Sequence, residues 1–177
     1  MARETDRRAQ TDSITSAQLA RLRADLIALA NQAPHPRGYA FESFLKTLFD
    51  TYGLEAREAF RLRGEQIDGS FHLSNETYLL EAKWQNSACG VADLHAFHGK
   101  IEQRAPWARG LFVSNSGFTE DGLFAFGRGK RVVCMDGLDL YEVLDRGLAL
   151  ERALTAKVRY AAETGLPFAR VRDLFQI

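Results

Sequence analysis

The chain has 177 residues, 46% of them hydrophobic and 11% aromatic, enough for one domain with a real core and too few for two full ones. Lys+Arg and Asp+Glu are equal at 23 each, so the net charge is zero, which sets the chain apart from the strongly basic nucleic-acid binders. No stretch reaches the ~20 apolar residues of a membrane span, and the polar N-terminus lacks the apolar run of a secretory signal, so a cytoplasmic location with no membrane partner is expected. Cys89 and Cys134 form no CxxC pair and read as free thiols, which makes a zinc site a poor expectation.

In chain order, residues 1–13 read as a disordered polar tail. Leu19, Leu22, Leu26 and Leu29 then recur at helical spacing, predicting a helix over 16–31 with Ser16 as its N-cap. The run Ala33-Pro34-His35-Pro36-Arg37-Gly38 breaks the chain and makes that helix an appendage. A second helix is predicted over 39–52, because Phe41, Phe44, Leu45, Leu48, Phe49 and Tyr52 fall on one stripe. Strands follow over 54–60 and 66–73, joined by a turn at Arg63-Gly64-Glu65, and a third strand over 77–84 follows the turn Ser74-Asn75-Glu76. Beyond it come a helix over 91–104, a strand over 110–114, a helix capped by Thr119, a strand over 131–135, and helices over 138–146 and 150–163. Three antiparallel strands followed by strand–helix alternation predict an α/β fold, a mixed sheet flanked by helices. The expected divisions are a tail and amphipathic helix over 1–33, a core over 34–136, and a helical extension of the same domain over 137–177.

The chemistry-bearing stretch is Gly64 to Phe71 (GEQIDGSF) followed, one hairpin later, by Tyr78 to Trp84 (YLLEAKW). Alternation along a strand puts Leu79, Glu81 and Lys83 on one face and Tyr78, Leu80, Ala82 and Trp84 on the other. A Glu and a Lys at the end of an apolar strand are costly to bury unless paired with each other or with a metal. The hairpin can bring Asp68 beside them, and two converging carboxylates make a hard oxygen site suited to magnesium. A lysine beside such an ion can orient a water or neutralise charge building on a phosphate. An ExK strand alone is a weak sign, since ion pairs of that spacing are common; Asp68-Gly69 on the preceding strand strengthens it. Glu42 lies at the rim of the apolar stripe of its helix, where it can either reach the sheet and serve as a further metal ligand or stand as an ordinary solvated glutamate.

Phe41-Glu42 on a helix, then Gly64-Glu65-Gln66-Ile67-Asp68-Gly69, then Glu81-Ala82-Lys83 together resemble the Mrr-like restriction endonuclease branch of the PD-(D/E)xK nuclease superfamily. The likeness continues through Val91-Ala92-Asp93-Leu94 and Gly99-Lys100 to the run from Gly110 to Thr119, covering roughly residues 38–135. The resemblance implies a three-layer α/β/α core and metal-dependent DNA cleavage using magnesium, with manganese as an alternative ion. It also implies that Asp68 and Glu81 are metal ligands, Lys83 the catalytic lysine, Glu42 the helix acid and Gln66 the polar residue two before the aspartate. Many Mrr-type sequences have glutamine where this chain has Glu81, and no large target-recognition domain accompanies the core. DNA is the expected substrate, defence against foreign DNA the expected role, and a homodimer or a defence-system partner protein the expected assembly. Two other readings stand beside it: a non-catalytic DNA-binding or assembly module with a nuclease fold, and a resolvase or repair nuclease.

Several lesser features have plain structural readings. Arg57, Arg61 and Arg63, and Arg128, Lys130 and Arg131, are either phosphate-facing clusters or solvated faces. His95 and His98 have no partner acid that would make a triad. Ser114-Asn115-Ser116-Gly117 could offer backbone N–H groups to a phosphate but also reads as a simple turn. Trp84 and Trp107 could stack on bases, with packing roles the more ordinary expectation, and Cys134 reads as buried and inert.

Overall fold

A computed structural model describes residues 14–62 and 64–176. The expected tail over 1–13, and Arg63 of the first arginine cluster, lie outside the described residues. The elements are α1 (Ser16–Ala28), α2 (Pro34–Thr51), β1 (Phe60–Leu62), β2 (Glu65–Ile67), β3 (Gly69–Leu73), β4 (Glu76–Lys83), α3 (Val91–Glu102), β5 (Arg109–Ser114), α4 (Glu120–Phe126), β6 (Val132–Asp136), α5 (Gly137–Asp145), α6 (Leu150–Thr164) and α7 (Val171–Phe175). The central sheet has four strands in the order β3-β4-β5-β6; β3 and β4 are antiparallel, and the pairs β4–β5 and β5–β6 are parallel.

Helices cover both faces of this sheet. On one face, α1, α2, α5 and α6 contribute Leu26, Phe41, Leu140 and Leu150 to a core that includes Tyr78, Leu80, Leu111 and Val133. On the other, α3 and α4 contribute Leu94, Phe97, Ile101 and Phe126 against Leu79, Phe112 and Cys134. The two clusters confirm the alternation expected for β4 and give the three-layer α/β/α architecture. Among the described residues no helix is long and apolar enough to cross a membrane.

Several local expectations are corrected. Thr15, not Ser16, caps α1, accepting from the Gln18 N–H at 3.2 Å while the Gln18 side chain accepts from the Thr15 N–H at 2.9 Å. Leu22, Leu26 and Leu29 are buried in the main core, so α1 is built into the fold rather than appended to it. Helix α2 begins at Pro34, five residues before the predicted start, because both prolines fall in its first turn, where N–H groups have no helical acceptor. The predicted strand over 54–60 is mostly irregular. Arg57 makes one isolated bridge to Ser70, and regular pairing begins only at Phe60 in the separate β1–β2 ribbon. The predicted strand over 66–73 divides at Asp68 into β2 and β3. The final helix, α7, was not expected; it is one short turn-like element whose Val171 is buried.

The hairpin between β3 and β4 is a two-residue connection, with Ser74 at φ 50° and Asn75 at φ 68°. Two consecutive left-handed residues match the twist of the strands they join, and Asn tolerates that region. This turn fixes the register in which Gly69 faces Leu80 and so decides where Asp68 lies.

Candidate active site

Strand β4 runs past the end of β3, and the break at Asp68 turns that end into a site. Asp68 keeps one backbone tie, its N–H donating to the Leu80 carbonyl at 3.2 Å. Its side chain then takes over from the backbone: Oδ2 accepts the Ala82 N–H at 2.9 Å. Gly69 allows this tight geometry, since a Cβ there would stand 2.8 Å from the Arg57 carbonyl oxygen. The Gln66 amide donates to Asp68 Oδ1 at 3.3 Å, and Gln66 Oε1 accepts from Arg61 at 3.3 Å. Gln66 is therefore a link that orients the Asp68 carboxylate and ties it to a surface arginine.

Glu81 and Lys83 project from β4 toward α3, and each meets an opposite charge there. Lys100 donates to Glu81 Oε2 at 2.7 Å, and Lys83 donates to Asp93 Oδ1. The other Asp93 oxygen accepts the Gly90 N–H at 3.1 Å, so one carboxylate caps the helix and holds the lysine. The side chains of Lys100 and Glu81 are only 22% and 12% exposed, which shields the pair from solvent screening.

Glu42, on α2, joins the same electrostatic field. Burial, then the neighbouring charges of Asp68 and Glu81, push its carboxyl up to about 7. Burial also raises Asp68 above the ordinary carboxylate range, against the pull of the Ala82 N–H and of Lys100. Glu81 is raised in the same way, with Lys100 opposing the shift. Burial alone would lower Lys83, but the bond and charge of Asp93 outweigh it and hold the ammonium above its ordinary value. Three carboxyls raised by burial, two of them further by neighbouring acids, are the arrangement a bound cation relieves.

The donor chemistry, carboxylate oxygens only, fits a hard divalent ion. The arrangement is incomplete as it stands: among the described residues, no three His, Cys, Asp or Glu side chains are gathered so as to hold an ion. All five expected site residues lie in this region, linked by hydrogen bonds or by charge: Asp68 and Gln66 directly, Glu42 through the field of the acids, and Glu81 and Lys83 through their partners on α3. Sequence reasoning assigned no role to Asp93 or Lys100. Their signal was the seven-residue spacing, two helical turns, which sets both on one side of α3.

Most of the lesser candidates take structural roles. His95 and His98 pack their rings against Phe126, and His98 is buried. The turn after β5 is closed on itself: the Ser114 hydroxyl donates to the Gly117 carbonyl at 2.8 Å, and the Ser116 hydroxyl donates to the Gln85 carbonyl. Trp84 lies edge-on to Phe41 and beneath the Arg37 guanidinium, whereas Trp107 is 70% exposed. Arg131 donates to the carbonyls of Ala105, Pro106 and Ala108, which fixes it as a strap between β6 and the loop before β5. Cys134 is fully buried, and burial pushes its thiol well above the ordinary range.

Searching curated protein sequences finds no match to this chain. Among solved structures, protein VC1899 from Vibrio cholerae is similar over 66% of this chain and 34% of its own, at 10% identity and a TM-score of 0.47. A protein of unknown function, AF1548, is similar over 78% of this chain and 94% of its own, at 16% identity and a TM-score of 0.42. MspJI restriction endonuclease, solved with a 27-mer oligonucleotide, is similar over 78% of this chain and 36% of its own, at 14% identity and a TM-score of 0.40. The chain thus spans about a third of the length of VC1899 and of MspJI. The family model Mrr_cat, described as restriction endonuclease, matches residues 36–144, a span that holds α2 from its third residue on, every strand of the central sheet and all five site residues. The chain belongs to the Mrr_cat restriction endonuclease family.

Proposed function

We propose that this chain is a divalent-metal-dependent endonuclease that hydrolyses DNA phosphodiester bonds, with Asp68 and Glu81 as ion ligands and Glu42 as a third acid beside them. The carrying observation is the shared field of Glu42, Asp68 and Glu81, in which burial raises all three carboxyls and the neighbouring acids raise Glu42 and Glu81 further, next to a lysine whose ammonium is held above its ordinary value. Magnesium, or manganese in its place, would supply polarisation of the scissile phosphate and acidification of a water at such a site.

The chain's own residues contribute the rest. Asp68 is fixed by the Ala82 N–H and by Gln66, so its free lone pairs keep one direction. Lys83 is held as a cation by Asp93 and serves to neutralise charge developing on the phosphate oxygens. Arg61 and Gln66 carry this network to the surface, where the exposed Arg57 and Arg61 offer phosphate contacts to the duplex. With no net charge overall, binding DNA calls for a second copy or a partner protein to add contacts. Defence against foreign DNA in the cytoplasm is the role that fits this chemistry.

The test is incubation of the purified chain with plasmid DNA and magnesium, followed by the same assay on Asp68→Ala and Lys83→Ala. Cleavage should require the ion and be lost in both variants. Cutting that persists undiminished in either variant would refute the assignment.

A further inference from the structure

Helix α3 carries charges that mirror those of β4. Glu81 and Lys83 stand two residues apart on the strand, and Lys100 and Asp93 stand seven apart on the helix, each in contact with its opposite. Both pairs are partly sheltered, with side-chain exposures of 32% and 29% for Lys83 and Asp93. Lys100 comes from a different layer of the fold, and its ammonium bonds directly to a carboxylate oxygen of a residue assigned above to the ion.

We propose that Lys100 is a built-in counter-ion that competes with the divalent metal for Glu81, and thereby sets how much free metal the site requires. This inference rests on the metal reading of Asp68 and Glu81. A carboxylate oxygen that already accepts a charge-assisted bond at 2.7 Å must surrender or share that bond when it ligates an ion. Lys100 is anchored on α3 between Phe97 and Ile101, both fully buried, so its backbone stays in place while only the flexible stem swings away. Removing the ammonium takes from the Asp68 and Glu81 carboxylates the stronger of their two neighbouring cations, leaving Lys83, and an ion then supplies more of the compensation. Lys100 is thus a positioning residue for the ion, acting through Glu81.

Calorimetric titration of the whole chain with manganese alone, without DNA, reads this out. Lys100→Gln should bind the ion about tenfold more tightly than the wild type, the scale expected for releasing one hydrogen bond to a charged group. Lys100→Arg, which keeps the charge, should restore an affinity near that of the wild type. A second measurement needs no variant. Acylation of lysines followed by mass spectrometry should show Lys100 reacting several-fold faster when manganese is present, because its amine has left the partly sheltered bond to Glu81 and is open to the reagent. Unchanged or weaker ion binding by a folded Lys100→Gln, or a Lys100 reactivity indifferent to manganese, overturns the proposal while the metal reading survives. A wild-type chain that takes up no manganese, or an Asp68→Asn variant that binds it equally well, overturns the metal reading and this proposal with it.

Discussion

Replacing Glu42 with Gln tests the carboxylate field through stability alone. The folded chain holds the Glu42 proton more tightly than an unfolded chain does, because its carboxyl is pushed from the ordinary 4.5 up to about 7. For an acid shifted upward, the associated stability is fully present below about pH 4.5 and is lost as the pH rises through about 7. At ~1.4 kcal/mol per tenfold change in proton affinity, that displacement sets an upper bound of about 3 kcal/mol. Glu42 is only partly buried, so solvent screening reduces the expected effect to about 1–2 kcal/mol. Glu42→Gln mimics the protonated form at every pH and also relieves Asp68 and Glu81 of one negative neighbour. In chelator-treated buffer at pH 8, the variant should therefore melt higher than the wild type by about 2–8 °C, at ~2–4 °C per kcal/mol for a chain of this size. Near pH 4.5 the two should melt together. Scanning calorimetry between pH 4.5 and 8.5 measures the difference directly. A variant that is less stable throughout, or an offset that ignores pH, refutes the idea that the acids repel one another in the folded chain.

Three further outcomes follow from other parts of the structure. Lys157 and Asp139 form an ion pair at 2.6 Å with side chains 1% and 0% exposed; Lys157→Met should cost about 3–5 kcal/mol by leaving Asp139 uncompensated. In urea titrations, adding Asp139→Asn should recover much of that loss, since Asn keeps an acceptor for the Val171 N–H. Gly110→Ala would drive a methyl to 2.7 Å from the Phe97 ring and should destabilise by about 1–3 kcal/mol, read by thermal melting. Asp93→Asn should cost about 1 kcal/mol through the weakened cap of α3, and should lower the pH at which Lys83 loses its proton, followed by side-chain NMR.

The parts of this molecule legible in its sequence are those set by short-range pattern. Leu79, Glu81 and Lys83 separate from Tyr78, Leu80 and Ala82 by strand alternation alone, and Ser74-Asn75 gives the turn that brings Asp68 to them. Thr119 as a cap and the apolar stripe of α2 are equally local. The misreadings have longer-range causes. Pro34 and Pro36 look like breakers until their place in a first turn is known. Residues 54–59 follow the Gly53 stop and do run along β3, but they touch it only at Leu54 and Arg57, so no continuous ladder forms there. The division at Asp68 arises because its side chain, not its backbone, serves Ala82. Lys100 and Asp93 escaped notice as site residues because their partners lie 19 and 10 positions earlier on β4, and only the crossing of α3 over the sheet joins them.

Both outer strands of the central sheet are covered by irregular chain. Along β3, Arg57 exchanges two backbone bonds with Ser70, and Leu54 accepts from the His72 N–H at 2.8 Å. Along β6, the Cys134 N–H donates to the Pro167 carbonyl at 2.8 Å, and Lys157 from α6 donates to the carbonyls of Cys134 and Ala169, holding that covering segment in place. A sheet whose margins are already hydrogen-bonded offers no template on which another chain can add a strand. Self-association by edge-to-edge growth, whether into a continuous dimer sheet or into fibres, is thereby discouraged at both ends. A second copy or partner is thereby directed to helices, loops or the separate β1–β2 ribbon rather than to the margins of the central sheet.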